Sequence, residues 1–299
     1  MQYTVVNGTS ELDWQSVVAV CETHSIVRCL PSFGLHPWFV HVRSTTWEEA
    51  LEATLLQHPR AAIGEVGLHL SSSCIASTAD QGAVLRTQLR LAVKIQRPVS
   101  VHCVGAGAAE LLCRELEAAA PPAGFQRSGL LIHGFSGESK HAKQMQALGA
   151  MLSFSAANTR RKTATLLASI AEDRLLLESD APDGLLPAGN LDGLAFAPPQ
   201  SRIQLGGLGC ACGDDAEWST CTPRPLNVPV RVWLPLSLRL GLTTHVTPHD
   251  AQANLPIIAA AVGRLRGIPV ECVEELAWAN ACRLFHHCLP QTDDAEALR

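Results

Sequence analysis

Short runs of consecutive apolar residues alternate along residues 1–182 with longer stretches in which apolar positions recur every third or fourth residue. The apolar runs fall at 4–8, 26–30, 61–69, 98–103, 129–135, 150–156 and 174–182. Runs of this length, with little internal alternation, mark strands covered on both faces, as in a parallel sheet. The intervening stretches predict helices. The first runs to His24 with Leu12, Val17, Val18 and Val20 on its apolar side and Ser10 or Thr9 as its cap. The next reads TTWEEALEATLLQ, with Thr45 or Thr46 capping and Glu48 and Glu49 suiting its first turn. Further helices are predicted at 80–95, 107–120, 138–148 and 160–171, with Pro121-Pro122 stopping the fourth. Two more, at 254–267 and 270–285, close the chain.

Strands and helices therefore alternate seven times, which fits an open doubly wound sheet and a (β/α) barrel alike. Polar residues at the carboxyl ends of successive strands favour the barrel, because a barrel assembles its active site there. The regularity breaks between Pro182 and Asn254, where Gly and Pro are frequent and periodicity is lost. The predicted organisation is barrel strands and helices over 1–184 and a loosely packed or disordered insertion over 185–253. Completing helices then occupy 254–286, and a frayed tail 287–299. Within the insertion, VRVWLPLSLRL is apolar enough to dock on the barrel.

The third run, AAIGEVGLHL at 61–70, carries the first chemistry. Glu65 ends the apolar strand between two glycines, and an ionised carboxylate cannot be buried there without a cation or a hydrogen-bond shell. His102, His133 and Asp180 end three other predicted strands in the same way. A lone histidine at a strand end is most often structural. Four imidazole and carboxylate residues at four strand ends converge on one barrel mouth, and they are the ligand types of hydrolytic divalent metals.

Composition narrows the setting. Over 299 residues the chain is 47% hydrophobic and 17% charged, as a globular protein is, and its net charge of −5 exerts no global pull on nucleic acid. Binding a polyanion would need a local basic patch or metal ions. No apolar run is long enough to span a membrane, and the residues after Met1 carry no secretory signal pattern. Eleven cysteines, an odd number scattered through predicted strands and helices, suggest reduced thiols and an intracellular, cytoplasmic location. Cys210, Cys212 and Cys221 cluster locally, but the CAC spacing is not that of a zinc knuckle.

The motifs GLHPWF (34–39), IGEVGL (63–68), RPVSVHC (97–103), LIHGFSG (131–137) and LLLESDAPD (175–183), in that order, resemble the TatD family of metal-dependent deoxyribonucleases. The closing NLPIIAAAVGRLRGIPVEC and NACRLF segments are similar to the family as well. The resemblance implies a TIM-type barrel, a centre of two divalent ions (Mg, Mn or Zn) and hydrolysis of DNA phosphodiester bonds. Glu65 would bridge the metals, His102 and His133 would ligate one, and Asp180 would ligate the other or act with Glu65 in catalysis by orienting the attacking water. His36 would line the substrate cleft. DNA is the expected partner, with no membrane involved.

Two departures stand out. The family's first strand carries an HxH pair, whereas no HxH precedes residue 26 here, so the expected barrel has seven strands with the family's first missing. The Asp that follows Gly-Leu in the family is His69 in this chain. An incomplete gene model is the favoured explanation of the missing strand. The alternative is a degenerate, non-catalytic barrel holding one metal. The reading of 185–253 is testable: deleting it across a short linker should leave the melting transition nearly unchanged. Lost cooperativity would show instead that VRVWLPLSLRL fills core space.

Overall fold

The computed structural model describes residues 3–23, 28–155, 163–180 and 255–289, so the predicted insertion and its cysteine cluster lie outside the described residues. Seven parallel strands form one sheet in strict chain order: β1 (Tyr3–Asn7), β2 (Arg28–Phe33), β3 (Ala62–Leu70), β4 (Val99–Gly105), β5 (Leu130–Ile132), β6 (Met151–Phe154) and β7 (Leu175–Leu177). Parallel neighbours need crossovers, and helices supply them. These are α1 (Trp14–Thr23), α2 (Trp47–Gln57), α3 (Thr78–Ile95), α4 (Ala108–Ala119), α5 (Pro122–Ser128), α6 (Ser139–Ala147) and α7 (Ala164–Ala168). Helices α8 (Leu255–Arg266) and α9 (Val270–Leu284) follow. The architecture is the expected (β/α) barrel of seven strands, open between β7 and β1 among the described residues.

Local chemistry moved several boundaries. Helix α1 begins at Trp14 rather than after Ser10, because the Asp13 carboxylate accepts from the main-chain N–H groups of Thr9 (2.9 Å) and Ser10 (3.2 Å) and ties the preceding turn. Ser77 caps α3 by accepting from Asp80 N at 3.2 Å, so that helix starts earlier than expected. Helix α4 ends at Ala119, just before Pro121-Pro122 as expected, and the same pair also opens a further helix. Pro122 is the first residue of α5, where a missing N–H costs nothing and a fixed φ is already helical. Thr46 precedes α2 without making a side-chain cap bond.

Two apolar layers result. Helix-facing strand residues such as Ile63, Val66, Leu68, Val101, Ile132 and Leu152 pack against Leu85, Leu89, Leu112 and Leu116 of α3 and α4, all fully buried. On the sheet's other face, Phe285 packs against the cluster of Leu30, Ala62 and Cys288 and also against that of Met151, Leu176 and Leu284. The closing segment that carries Leu284, Phe285 and Cys288 thus packs against both β2–β3 and β6–β7, as a curled sheet allows.

An edge strand leaves backbone groups unpaired. On the β7 side a buried asparagine ties the closing helix down: Asn280 Nδ2 of α9 donates to the carbonyls of Glu172 (2.7 Å) and Leu175 (2.8 Å). Asn280→Leu keeps the volume and removes both donations, and a buried acceptor left unpaired costs about 1–3 kcal/mol. The expected outcome is a urea midpoint lowered by that amount at unchanged slope. An unchanged midpoint would mean the two carbonyls find other partners.

Candidate metal centre

Glu65 owes its position to a break in the β3 ladder. Register shifts between Ile63 and Val66, and the Glu65 N–H donates outside its strand pairing to Gly8 O at 2.8 Å. Two residues on, Gly67 (φ +141°) faces His102 across the β3–β4 pair, and a Cβ there would stand 2.1 Å from the His102 carbonyl oxygen. Only glycine permits that approach, which brings the His102 backbone level with the carboxylate.

His36 arrives from the loop after β2. Gln88, buried on α3, accepts from Leu35 N (2.8 Å) and donates to Leu35 O (3.2 Å), while His36 N donates to Thr9 O at 2.9 Å. His133 follows β5, and its N–H continues the ladder to Val101 O at 3.1 Å. Glu178 and Asp180 follow β7, with Asp180 in the left-handed region at φ +48°.

These elements bring three imidazoles to one oxygen. Glu65 Oε1 lies 2.7 Å from His133 Nε2, 2.9 Å from His102 Nδ1 and 3.4 Å from His36 Nε2. Beside them, His133 Nδ1 is 3.9 Å from Glu178 Oε1, and the other Glu178 oxygen accepts from the Ser153 hydroxyl. Donor atoms of His36, Glu65 and His102 lie within 4.8 Å of one another, as do those of His133, Glu178 and Asp180.

Charge follows from that crowding. Burial pushes the Glu65 carboxyl up, but the positive charge of His133 and the surrounding imidazoles outweigh it and hold the group well below its usual range. Burial pulls His133 down, and the carboxylates of Glu65 and Glu178 more than reverse this, so it titrates well above an ordinary histidine. For His102 burial prevails and lowers it to about 4. Without metal the centre is therefore a Glu65⁻–His133⁺ pair beside a neutral His102.

The residues suit a divalent cation. His102 Nδ1 stands close to Glu65 but out of line for donation, and it is buried with no hydrogen bond, as is Glu178 Oε1. Buried polar atoms are rarely left so. A lone-pair nitrogen and a carboxylate oxygen orphaned in one nitrogen-and-oxygen cluster are what a cation of the Zn or Mn type would satisfy. His36 differs: its Nδ1 accepts from Trp38 N at 3.3 Å, which leaves the proton of the neutral ring on Nε2. That makes His36 a donor facing the centre.

All the residues expected from the sequence, Glu65, His102, His133, Asp180 and His36, thus end at the carboxyl side of the strands in one region. Two were given no role. Glu178 directly follows the apolar run of β7 just as Glu65 follows its own, a signal that can be read the same way. His69, noted only as a departure, places Nδ1 2.9 Å from His102 Nε2. Among the described residues no helix is long and apolar enough to cross a membrane.

A family model described as TatD related DNase matches residues 1–286. The chain is 32% identical over 160 residues to the human 3′-5′ RNA nuclease TATDN2, covering 50% of this chain and 20% of that protein. It is 34% identical over 161 residues to the 3′-5′ ssDNA/RNA exonuclease TatD of Cronobacter sakazakii, covering 52% and 57%. The chain thus spans less than two thirds of either relative. Among solved structures, the TatD homologue YjjV of Escherichia coli aligns with TM-score 0.63 and 22% identity, covering 96% of this chain and 86% of that one, which supports the shared fold.

The titrations set the pH profile of the metal-free protein. His133, raised, contributes stability that is complete below its unfolded value of 6.5 and is lost as pH rises through its folded value. Glu65, lowered, contributes stability complete above 4.5 and lost as pH falls further. His102, depressed to about 4, costs stability as pH falls from 6.5 towards that value. Melting temperature in chelator should therefore peak near pH 6.5 and decline on both sides. His133→Gln should flatten the alkaline limb, and an alkaline limb kept in that variant would contradict the assignment.

Proposed function

Because the chain belongs to the TatD related DNase family, we propose that it is a metal-dependent phosphodiester hydrolase that shortens single-stranded DNA from its 3′ end. The observation that carries this reading is the gathering of His133, His102 and His36 nitrogens within 3.4 Å of one Glu65 oxygen, next to Glu178 and Asp180. In this reading Glu65, His102 and His133 hold one divalent ion, and Asp180 with Glu178 holds or orients what lies beside it. Divalent ions bound there supply positive charge that offsets the phosphodiester's own and the charge developing in the transition state.

The protein's groups do the rest. Glu65 and Glu178 are fixed before any ligand arrives, one by the β3 break and the other by the Ser153 hydroxyl. His133 gives up its proton when its nitrogen becomes a ligand. Asp180 accepts the proton of the attacking water. His36, its proton held on Nε2, donates to a phosphoryl oxygen. Trp38, on the same loop, leaves 42% of its surface exposed at the rim, and an exposed indole is a face on which a nucleobase stacks whatever its sequence. Such contacts reconcile a net charge of −5 with a polyanionic substrate.

The test uses purified protein with Mn²⁺ or Mg²⁺ and short single-stranded DNA labelled at its 5′ end. Stepwise shortening, abolished by chelator, is expected. Glu65→Gln should slow it at least about 100-fold, the scale for removing one group that stabilises transition-state charge. RNA of the same sequence, assayed in parallel, measures the preference between the two sugars. Intact DNA in the presence of protein with bound metal would leave the non-catalytic barrel as the reading.

A further inference from the structure

Neutral imidazole has one N–H and one lone pair, so a histidine ligand is useful only in the tautomer that presents its lone pair to the metal. The partner of the other ring nitrogen decides which tautomer that is. His102 has neighbours at both nitrogens: Nδ1 faces Glu65 and makes no hydrogen bond, whereas Nε2 lies 2.9 Å from His69 Nδ1. The two rings are nearly parallel, 13° apart with centroids at 5.2 Å.

His69 is itself held with unusual care. Gln81 of α3, 1% exposed, accepts from His69 N at 2.8 Å and donates to His69 O at 3.3 Å. A second donation, to Ala76 O at 2.9 Å, fixes the amide group. A buried side chain thus uses both ends of its amide on the backbone of one partly exposed histidine at the end of β3. On the side-chain side, the Trp38 ring meets His69 edgewise at 5.4 Å.

Resting on the metal reading above, we infer that His69 is a positioning residue whose Nδ1 accepts the Nε2–H of His102, keeping the Nδ1 lone pair of His102 turned to the metal beside Glu65. His69 itself stays off the metal. Its acceptor is neutral, so it orients His102 without placing another negative charge in a centre that already holds Glu65, Glu178 and Asp180.

The test separates the acceptor from the ring, with His69→Asn and His69→Leu as the variants. An asparagine side chain carries its Oδ1 acceptor where the imidazole Nδ1 stands, whereas leucine keeps bulk and accepts nothing. Nitrogen-15 spectra of histidine-labelled, metal-free protein, with His102 assigned by its loss in His102→Gln, should show the Nε2–H tautomer in wild type and His69→Asn but not in His69→Leu. Titration with Zn²⁺ alone should show a Kd near wild type for His69→Asn and about 10–100-fold weaker for His69→Leu, the range for losing such a partner. Unchanged tautomer and affinity in His69→Leu would overturn the inference, and so would an equal loss in His69→Asn, since ring packing would then be the cause. Wild type with the Nε2–H tautomer but no Zn²⁺ binding would overturn the metal reading and leave the orientation of His102 supported.

Discussion

One largely buried carboxylate sets the terms for the centre of this barrel. Glu65 is mostly withdrawn from water, and a charge so placed must find compensation close by. The protein supplies it with imidazole rather than with lysine or arginine: His133 as the charged partner, with His102 and His36 completing the shell. That choice keeps the cluster exchangeable. A guanidinium would neutralise Glu65 permanently, whereas an imidazolium can release its proton and offer the same nitrogen to a cation. In the proposed reading, charge compensation without metal and metal binding would thus use one set of side chains.

Holding three imidazoles around one oxygen demands a rigid frame, and the frame is built from buried amides. Gln88 fixes the Leu35 backbone and so the loop that carries His36. Gln81 fixes the backbone of His69. Asn280 closes the β7 edge beyond which Glu178 and Asp180 emerge. Each is a neutral side chain whose burial is compensated by hydrogen bonds to the main chain. The apolar layer between sheet and helices supplies the bulk of the cohesion, and these amides decide where the strand ends stop.

The sheet's curl is as necessary as its frame. His133 follows β5, yet it reaches Glu65 on β3 and Glu178 after β7. Phe285 and its neighbours perform the matching task at the other end of the strands, filling the space between β2–β3 and β6–β7. The closing helices are therefore part of the architecture that forms the mouth, although none of the candidate metal-holding groups among the described residues comes from them.

Much of this was legible along the chain. Seven apolar runs separated by helical periodicity determine a parallel β/α alternation, because strands covered on both faces must be apolar throughout. One carboxylate or imidazole at the end of such a run means little, but its recurrence at four strand ends marks Glu65, His102, His133 and Asp180. Helix boundaries were less legible, since Asp13 and Pro122 compete with neighbours of equal local merit and only hydrogen bonding in three dimensions decides. The pairing of charges was not legible at all. Nothing in the sequence says that His133 is the charged histidine and His102 the neutral one, because the fold alone sets two carboxylates, Glu65 and Glu178, against His133. Nor does it say that the ring of His69, distant from His102 in sequence, meets the His102 ring between β3 and β4. Local pattern determined which residues stand at the strand ends; the register of the strands and the curl of the sheet decided which of them meet.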